Sequence, residues 1–157
     1  MICWRISNYV DLSGIGGLRA SARWHTAGHP IIYTAESPAS AILEILVNLE
    51  IDTIDDLPAS YTLMKITVPD VLLDAEIEES DLPIDWRENV SISREIGDIW
   101  LNGGKGVVLS VPSAIVPFTT NLLINPDHPN IKDVEIVAHG NYPFDERIFK
   151  LVSGIDY

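Results

Sequence analysis

The run Ile31-Ile32-Tyr33-Thr34-Ala35-Glu36-Ser37-Pro38, followed by a stretch without glycine or proline, fixes a strand-then-helix step early in the chain. The β-branched and aromatic residues of Ile31–Ala35 suit a strand. Ser37 is a good N-cap, Pro38 suits the first helical position, and Ala39–Leu49 consists of good helix formers. Ile42, Ile45, Leu46 and Leu49 supply an i, i+3, i+4, i+7 stripe that Leu43 and Val47 widen. That pattern predicts a helix buried on most of its faces. Glu44 is out of character there. A carboxylate in such company must reach water, find a partner or sit in a cleft, because burying it bare is very costly.

The rest of the chain is mostly strand. Ile2–Ile6, Tyr61–Val68, Val107–Val111, Asn121–Ile124 and Val134–Ala138 carry the pattern, with a last short strand expected near Arg147–Leu151. Pro112 and Pro117 keep the segment between them out of a central strand. A second helix fits Ile92–Leu101, with Ser91 as cap and Gly103-Gly104 as stop. Asp52–Pro58 reads as an acidic loop, and residues 70–90 as acidic and irregular, with Pro83 and Trp86 as surface anchors. The expectation is one α+β domain over residues 1–157, with a few helices and a mixed, mostly antiparallel sheet. At 157 residues the chain can bury enough surface to fold without a disulfide or metal.

Composition narrows the function. With 10 basic and 23 acidic residues the net charge is −13, which opposes direct nucleic-acid binding. No apolar run approaches the roughly 18 residues a spanning helix needs, so no membrane role is expected. Met1-Ile2-Cys3-Trp4-Arg5 lacks the plan of a signal peptide, and the lone Cys3 allows no internal disulfide. The expected setting is cytoplasmic. Metal templates fail: His25, His29, His128 and His139 share no ligand spacing and read as turn or surface residues. Asp52, Asp55 and Asp56 lack the glycine and closing glutamate of a calcium loop. Gly14-Ile15-Gly16-Gly17 is a turn and not a dinucleotide fingerprint, since Arg19 occupies the last glycine position. Neither a Gly-x-Ser-x-Gly elbow nor a Walker loop is present.

What remains is Arg23-Trp24, then Gly28-x-Pro30-Ile31-Ile32-Tyr33, then Ser37 and Glu44. A turn centred on Gly28 would place Arg23 opposite Tyr33 on one face of a hairpin. A helix folding back over its parent strand could bring Glu44 near Tyr33. Taken singly, Arg23 reads as a surface ion-pair partner and Tyr33 as a core aromatic, while Glu44 stands evenly between a structural and a functional role.

Taken together, Ala22-Arg23-Trp24-His25-x-x-Gly28-x-Pro30-Ile31-Ile32-Tyr33-Thr34-Ala35-Glu36-Ser37-x5-Leu43-Glu44 resembles the signature of the RES domain, the toxin of RES–Xre toxin–antitoxin pairs. Ile96-Gly97-Asp98-x-Trp100-Leu101, Val107–Ala114, Leu122-Leu123-Ile124-Asn125-Pro126-x-His128 and Phe144-Asp145-x-Arg147 are similar to the family's second half. The resemblance spans roughly Trp4 to Leu151. One departure is Ser21-Ala22, where family members usually carry Gly-Gly, and two side chains there narrow the approach to a phosphate.

The resemblance implies a fold like that of ADP-ribosyltransferases and NAD as substrate, with no metal. It implies cleavage of the nicotinamide–ribose bond by a glycohydrolase or phosphorolase, with growth arrest as the outcome. ADP-ribosyl transfer to a protein and an inactive NAD-binding module are the alternatives. Carried over, the site consists of Arg23, Tyr33, Glu44 and Ser113. Glu44 would stabilise positive charge on the ribose or orient water, and Arg23 would clamp the pyrophosphate. Tyr33 would stack on nicotinamide or ribose, and Ser113 would hydrogen-bond the ribose, carboxamide or water. Arg5 is a second phosphate contact or a surface residue. Asn125 and Trp100 match family positions and read as a turn cap and a core aromatic. The implied partner is an Xre-type antitoxin with a helix-turn-helix domain, forming a hetero-oligomer.

Overall fold

The computed structural model describes residues 1–49 and 56–148. The expected loop Asp52–Pro58 lies partly outside the described residues, as does most of the expected strand near Arg147–Leu151. The described start of that stretch, 146–148, is helical instead of extended.

Seven strands form one sheet: β1 (Ile2–Ile6), β2 (Ile32–Ala35), β3 (Ser60–Thr67), β4 (Leu73–Glu76), β5 (Val108–Pro112), β6 (Thr120–Ile124) and β7 (Glu135–Pro143). Their spatial order is β4-β5-β6-β2-β1-β3-β7. Every pairing is antiparallel except β4 with β5, so the mixed, mostly antiparallel α+β expectation holds. β4 falls in the stretch expected to be irregular. Three of its four residues are exposed, so its sequence carries no burial alternation to announce it.

The alternation of β6 divides the core. Leu122 and Ile124 join a cluster with Cys3, Ile32, Met64, Ile66 and Val108. Leu123 points the other way, into a cluster with Trp24, Trp86, Leu101, Leu109 and Val111. The period of two thus gives each face of the sheet its own apolar layer. Trp86, expected at the surface, is 1% exposed and belongs to the second layer.

Helix α1 (Pro38–Asn48) begins as its sequence dictates: the Ser37 hydroxyl accepts the Ser40 amide at 3.0 Å and Pro38 opens the first turn. Its burial differs from expectation. Only Ser40 and Ala41 are buried, while Leu43 and Val47 are exposed, 44% and 63% respectively. The helix packs against β1 and β2; Ile42, Ile45 and Leu46 are only partly buried, and Val47 lies at a cleft despite its exposure. Helix α2 (Val90–Gly103) starts two residues before the expected span, with Asn89 and not Ser91 at the N-cap position, where its side chain accepts the Ser91 hydroxyl and no helix amide. It ends as predicted on Gly104, whose φ of 61° is the left-handed geometry glycine adopts without steric cost.

Candidate active site

Four of the five sequence-predicted site residues line one cleft of about 620 Å³: Arg5, Arg23, Tyr33 and Glu44. The fifth, Ser113, is 2% exposed and touches Glu44 directly. Ala41, Glu44, Ile45 and Asn48 face the cleft from α1, an i, i+3, i+4, i+7 stripe displaced by one position from the purely apolar one. The helix therefore turns its one carboxylate inward, toward the cleft.

Glu44 is half-buried, and its Oε1 accepts two hydrogen bonds. One comes from the Ser113 hydroxyl at 2.9 Å, the other from Asn121 Nδ2 at 2.7 Å. Ser113 follows Pro112 at the end of β5, and its Oγ also accepts the Ile115 and Val116 amides, each at 3.1 Å. Its single proton is thus committed to Glu44 and its acceptor capacity to the backbone. Asn121 sits opposite Ala35 in the β2–β6 ladder, on the face of the sheet that carries Tyr33 and Leu123. Sequence reasoning placed Asn121 on a strand and gave it no role. The available signal was an amide at the head of an apolar strand, where the i+2 neighbour Leu123 is a core residue.

The expected Arg23–Tyr33 hairpin does not form. Tyr33 pairs with Leu123 of β6, and Arg23 lies in a turn closed by an Ala22–His25 bridge. Both residues line the cleft all the same, and the turn is tied to Tyr33 through its neighbour: the Trp24 amide donates to the Tyr33 hydroxyl at 3.2 Å. Tyr33 Oη also lies 2.9 Å from His25 Nδ1, and His25 Nε2 lies 3.2 Å from the Gly17 carbonyl. A carbonyl only accepts, so Nε2 bears the proton and the Tyr33 hydroxyl donates to Nδ1. Tyr33 therefore spends its proton on the scaffold and offers the cleft its ring. Burial pushes the Tyr33 phenol well above its ordinary value and pushes His25 below 6.5. His25, expected at a turn or surface, is 1% exposed.

Among the described residues both arginines donate only to backbone carbonyls. Arg23 reaches the Trp86 carbonyl from Nη1 at 3.3 Å and the Arg87 carbonyl from Nη2 at 3.0 Å. Its guanidinium carbon lies 5.8 Å from the centre of the Trp86 ring. Arg5 donates from Nη1 to the Tyr33 carbonyl at 3.1 Å, next to the single Trp4–Ala35 register point that joins β1 to β2. Neither arginine makes an ion pair among the described residues. Burial weakens the hold of both on their protons, and for Arg23 the charge of Glu44 acts in the opposite direction. Ser21 and Ala22 line the cleft, and the Ser21 hydroxyl accepts the Ala27 amide at 2.9 Å. Trp100 packs against the second apolar layer and Asn125 Oδ1 accepts the Asp127 amide, as their structural readings require.

Residues 2–145 match the RES domain. Toxin Res of Pseudomonas putida is 45% identical over 149 residues, covering 95% of this chain and all of that protein. The chain belongs to the RES-domain toxin family. A second relative, the Prs ADP-ribosylating toxin of a Sphingobium species, is 36% identical over 94% of this chain and 96% of its own length. Among solved structures, a chain of the M. tuberculosis MbcT–MbcA toxin–antitoxin complex superposes with a TM-score of 0.71. It covers 98% of this chain and 89% of its own at 17% identity, which speaks for the fold alone. No helix among the described residues is long and apolar enough to cross a membrane.

Proposed function

We propose that this RES toxin binds NAD in the cleft and cleaves the bond between nicotinamide and ribose. The observation that carries this reading is the state of Glu44: Oε1 is held by two donors, while Oε2 has no protein partner among the described residues. A carboxylate anchored on one oxygen and open on the other is preorganised to face developing positive charge. The nicotinamide–ribose bond breaks through an oxocarbenium-like state, as glycosidic bonds do. Its electron pair passes to the pyridinium nitrogen, so nicotinamide leaves neutral and needs no general acid. Water then bonds to C1′ and loses its proton to Glu44 Oε2 or solvent, giving ADP-ribose. One carboxylate suffices.

Arg5 and Arg23, free of carboxylate partners among the described residues, are the groups for the pyrophosphate, where charge-assisted hydrogen bonds are strongest. The Tyr33 ring would lie against nicotinamide or ribose. Ser113 and Asn121 would act through Glu44, so the direct ligand contact expected of Ser113 gives way to a positioning role. A cleft of about 620 Å³ is within the ordinary range for small-molecule sites.

ADP-ribosyl transfer to a protein is the second reading, favoured by the activity named for the Sphingobium relative. Purified protein with NAD labelled in the adenylate half separates the cases. Hydrolysis yields free labelled ADP-ribose, transfer leaves label on a macromolecule, and phosphorolysis requires added phosphate. No nicotinamide release under any of these conditions would refute the reading. The same cleft suggests how the toxin is restrained: an antitoxin covering it would block NAD. The net charge of −13 favours a basic face on that partner, with any DNA contact left to the partner's helix-turn-helix domain.

A further inference from the structure

The loop that carries Arg23 has almost no regular structure of its own, yet α2 grips it residue by residue. Arg94 Nε donates to the Ala22 carbonyl at 2.7 Å. The Ser93 hydroxyl donates to the Arg23 carbonyl at 2.7 Å. Gly97 lies so close to Trp24 that a Cβ would overlap the Trp24 carbonyl oxygen, so only glycine permits this approach. Asp98 closes the grip with both oxygens: Oδ1 accepts the Thr26 amide at 2.8 Å, and Oδ2 accepts the Thr26 hydroxyl at 2.7 Å. Four positions of the loop, Ala22, Arg23, Trp24 and Thr26, are thereby registered against one rigid helix. The guanidinium itself rests on the carbonyls of Trp86 and Arg87, in the segment that leads into α2.

We infer that Asp98, with Gly97 and Ser93, is a positioning residue that sets the place of Arg23 for an anionic ligand. This inference rests on the NAD reading above. Asp98 is absent from the residues that line the cleft, so its effect must pass through the loop. The geometry also specifies what the position needs. An asparagine could accept from the Thr26 amide through its oxygen and donate to the Thr26 hydroxyl through its nitrogen, preserving both bonds without the charge. An alanine preserves neither.

The test is the Kd of NAD, measured calorimetrically, together with KM and kcat for nicotinamide release, in wild type, Asp98→Ala, Asp98→Asn and Thr26→Val. Loss of register should raise Kd and KM about ten-fold or more in Asp98→Ala, since small displacements of a binding group are costly, while kcat changes less. Asp98→Asn should recover most of that loss, and Thr26→Val, which removes one bond of the pair, should show a smaller rise. An Asp98→Ala protein with lowered Tm but unchanged Kd would overturn the inference, because Asp98 would then be structural only. If Asp98→Ala does not fold, an unchanged Kd in a folded Thr26→Val protein overturns it equally. Wild-type protein that binds NAD without releasing nicotinamide refutes the reaction and leaves the Kd series to decide the positioning role. Wild-type protein that binds no NAD overturns both.

Discussion

On the α1 side of the cleft, Glu44 receives two hydrogen bonds on one oxygen, from the Ser113 and Asn121 side chains. Elsewhere in the cleft, Arg5 from β1 and Arg23 from the loop give hydrogen bonds only to carbonyls, and no carboxylate pairs with them among the described residues. The acid is anchored by donors and the bases by neutral acceptors. A protein built only for stability would bring such opposite charges together, since an unpaired and partly buried charge is costly. Here the charge of Glu44 acts on Arg23, yet the two form no ion pair among the described residues. The separation leaves one side of the cleft able to hold an anion and the other able to stabilise a cation, which is the charge order of a dinucleotide whose nicotinamide ribose is the reacting end.

The largest expected effect breaks the acidic side. Glu44→Gln keeps an oxygen for Ser113 and Asn121 but removes the charge, and should lower kcat by about 10²–10³-fold, the range seen when one electrostatic stabiliser is lost. Thermal unfolding should show the variant folded. The next effect belongs to the other side. Arg23→Ala should raise KM for NAD roughly ten- to hundred-fold with a smaller change in kcat, as loss of a charged hydrogen bond predicts. Added salt should weaken NAD binding less in the variant than in wild type.

Asn121→Ala sharpens the contrast within the acidic side. It frees Glu44 from one of its two donors and should lower kcat about ten-fold while KM stays close to wild type. Equal loss in KM would move Asn121 to direct ligand binding. The smallest effect concerns the scaffold beneath Tyr33. Burial holds His25 below 6.5, so the unfolded chain takes up a proton that the folded one refuses. The stability this gives is complete above that value and is lost as pH falls from there toward the lowered folded-state pKa. Melting curves between pH 7.5 and about 5 should show a steeper decline for wild type than for His25→Gln.

The parts legible in the sequence were those fixed by near neighbours. Ser37 and Pro38 announce α1, Gly104 ends α2, and short runs rich in apolar and β-branched residues mark β1, β3, β5 and β6, because caps and local composition act over near neighbours. Which stripe of α1 turns inward was not legible, since Ala41 and Asn48 become cleft residues only when the helix lies on β1 and β2. The hairpin expectation failed for the same reason. Gly28 does supply a turn, with φ 122°, but Tyr33 finds its partner in Leu123, far along the chain. Arg23, Glu44 and Ser113 could be singled out through resemblance to the RES signature. Asn121 could not, because a strand amide becomes significant only once the register sets it against a carboxylate from another element.

The charge order of the cleft can be tested by a crystal structure of Glu44→Gln with intact NAD. The nicotinamide ribose should lie against the substituted side chain on α1 and the Tyr33 ring, with the pyrophosphate within hydrogen-bonding reach of Arg5 and Arg23. A dinucleotide bound in the reverse direction, or bound outside this cleft, would contradict the assignment of the two sides.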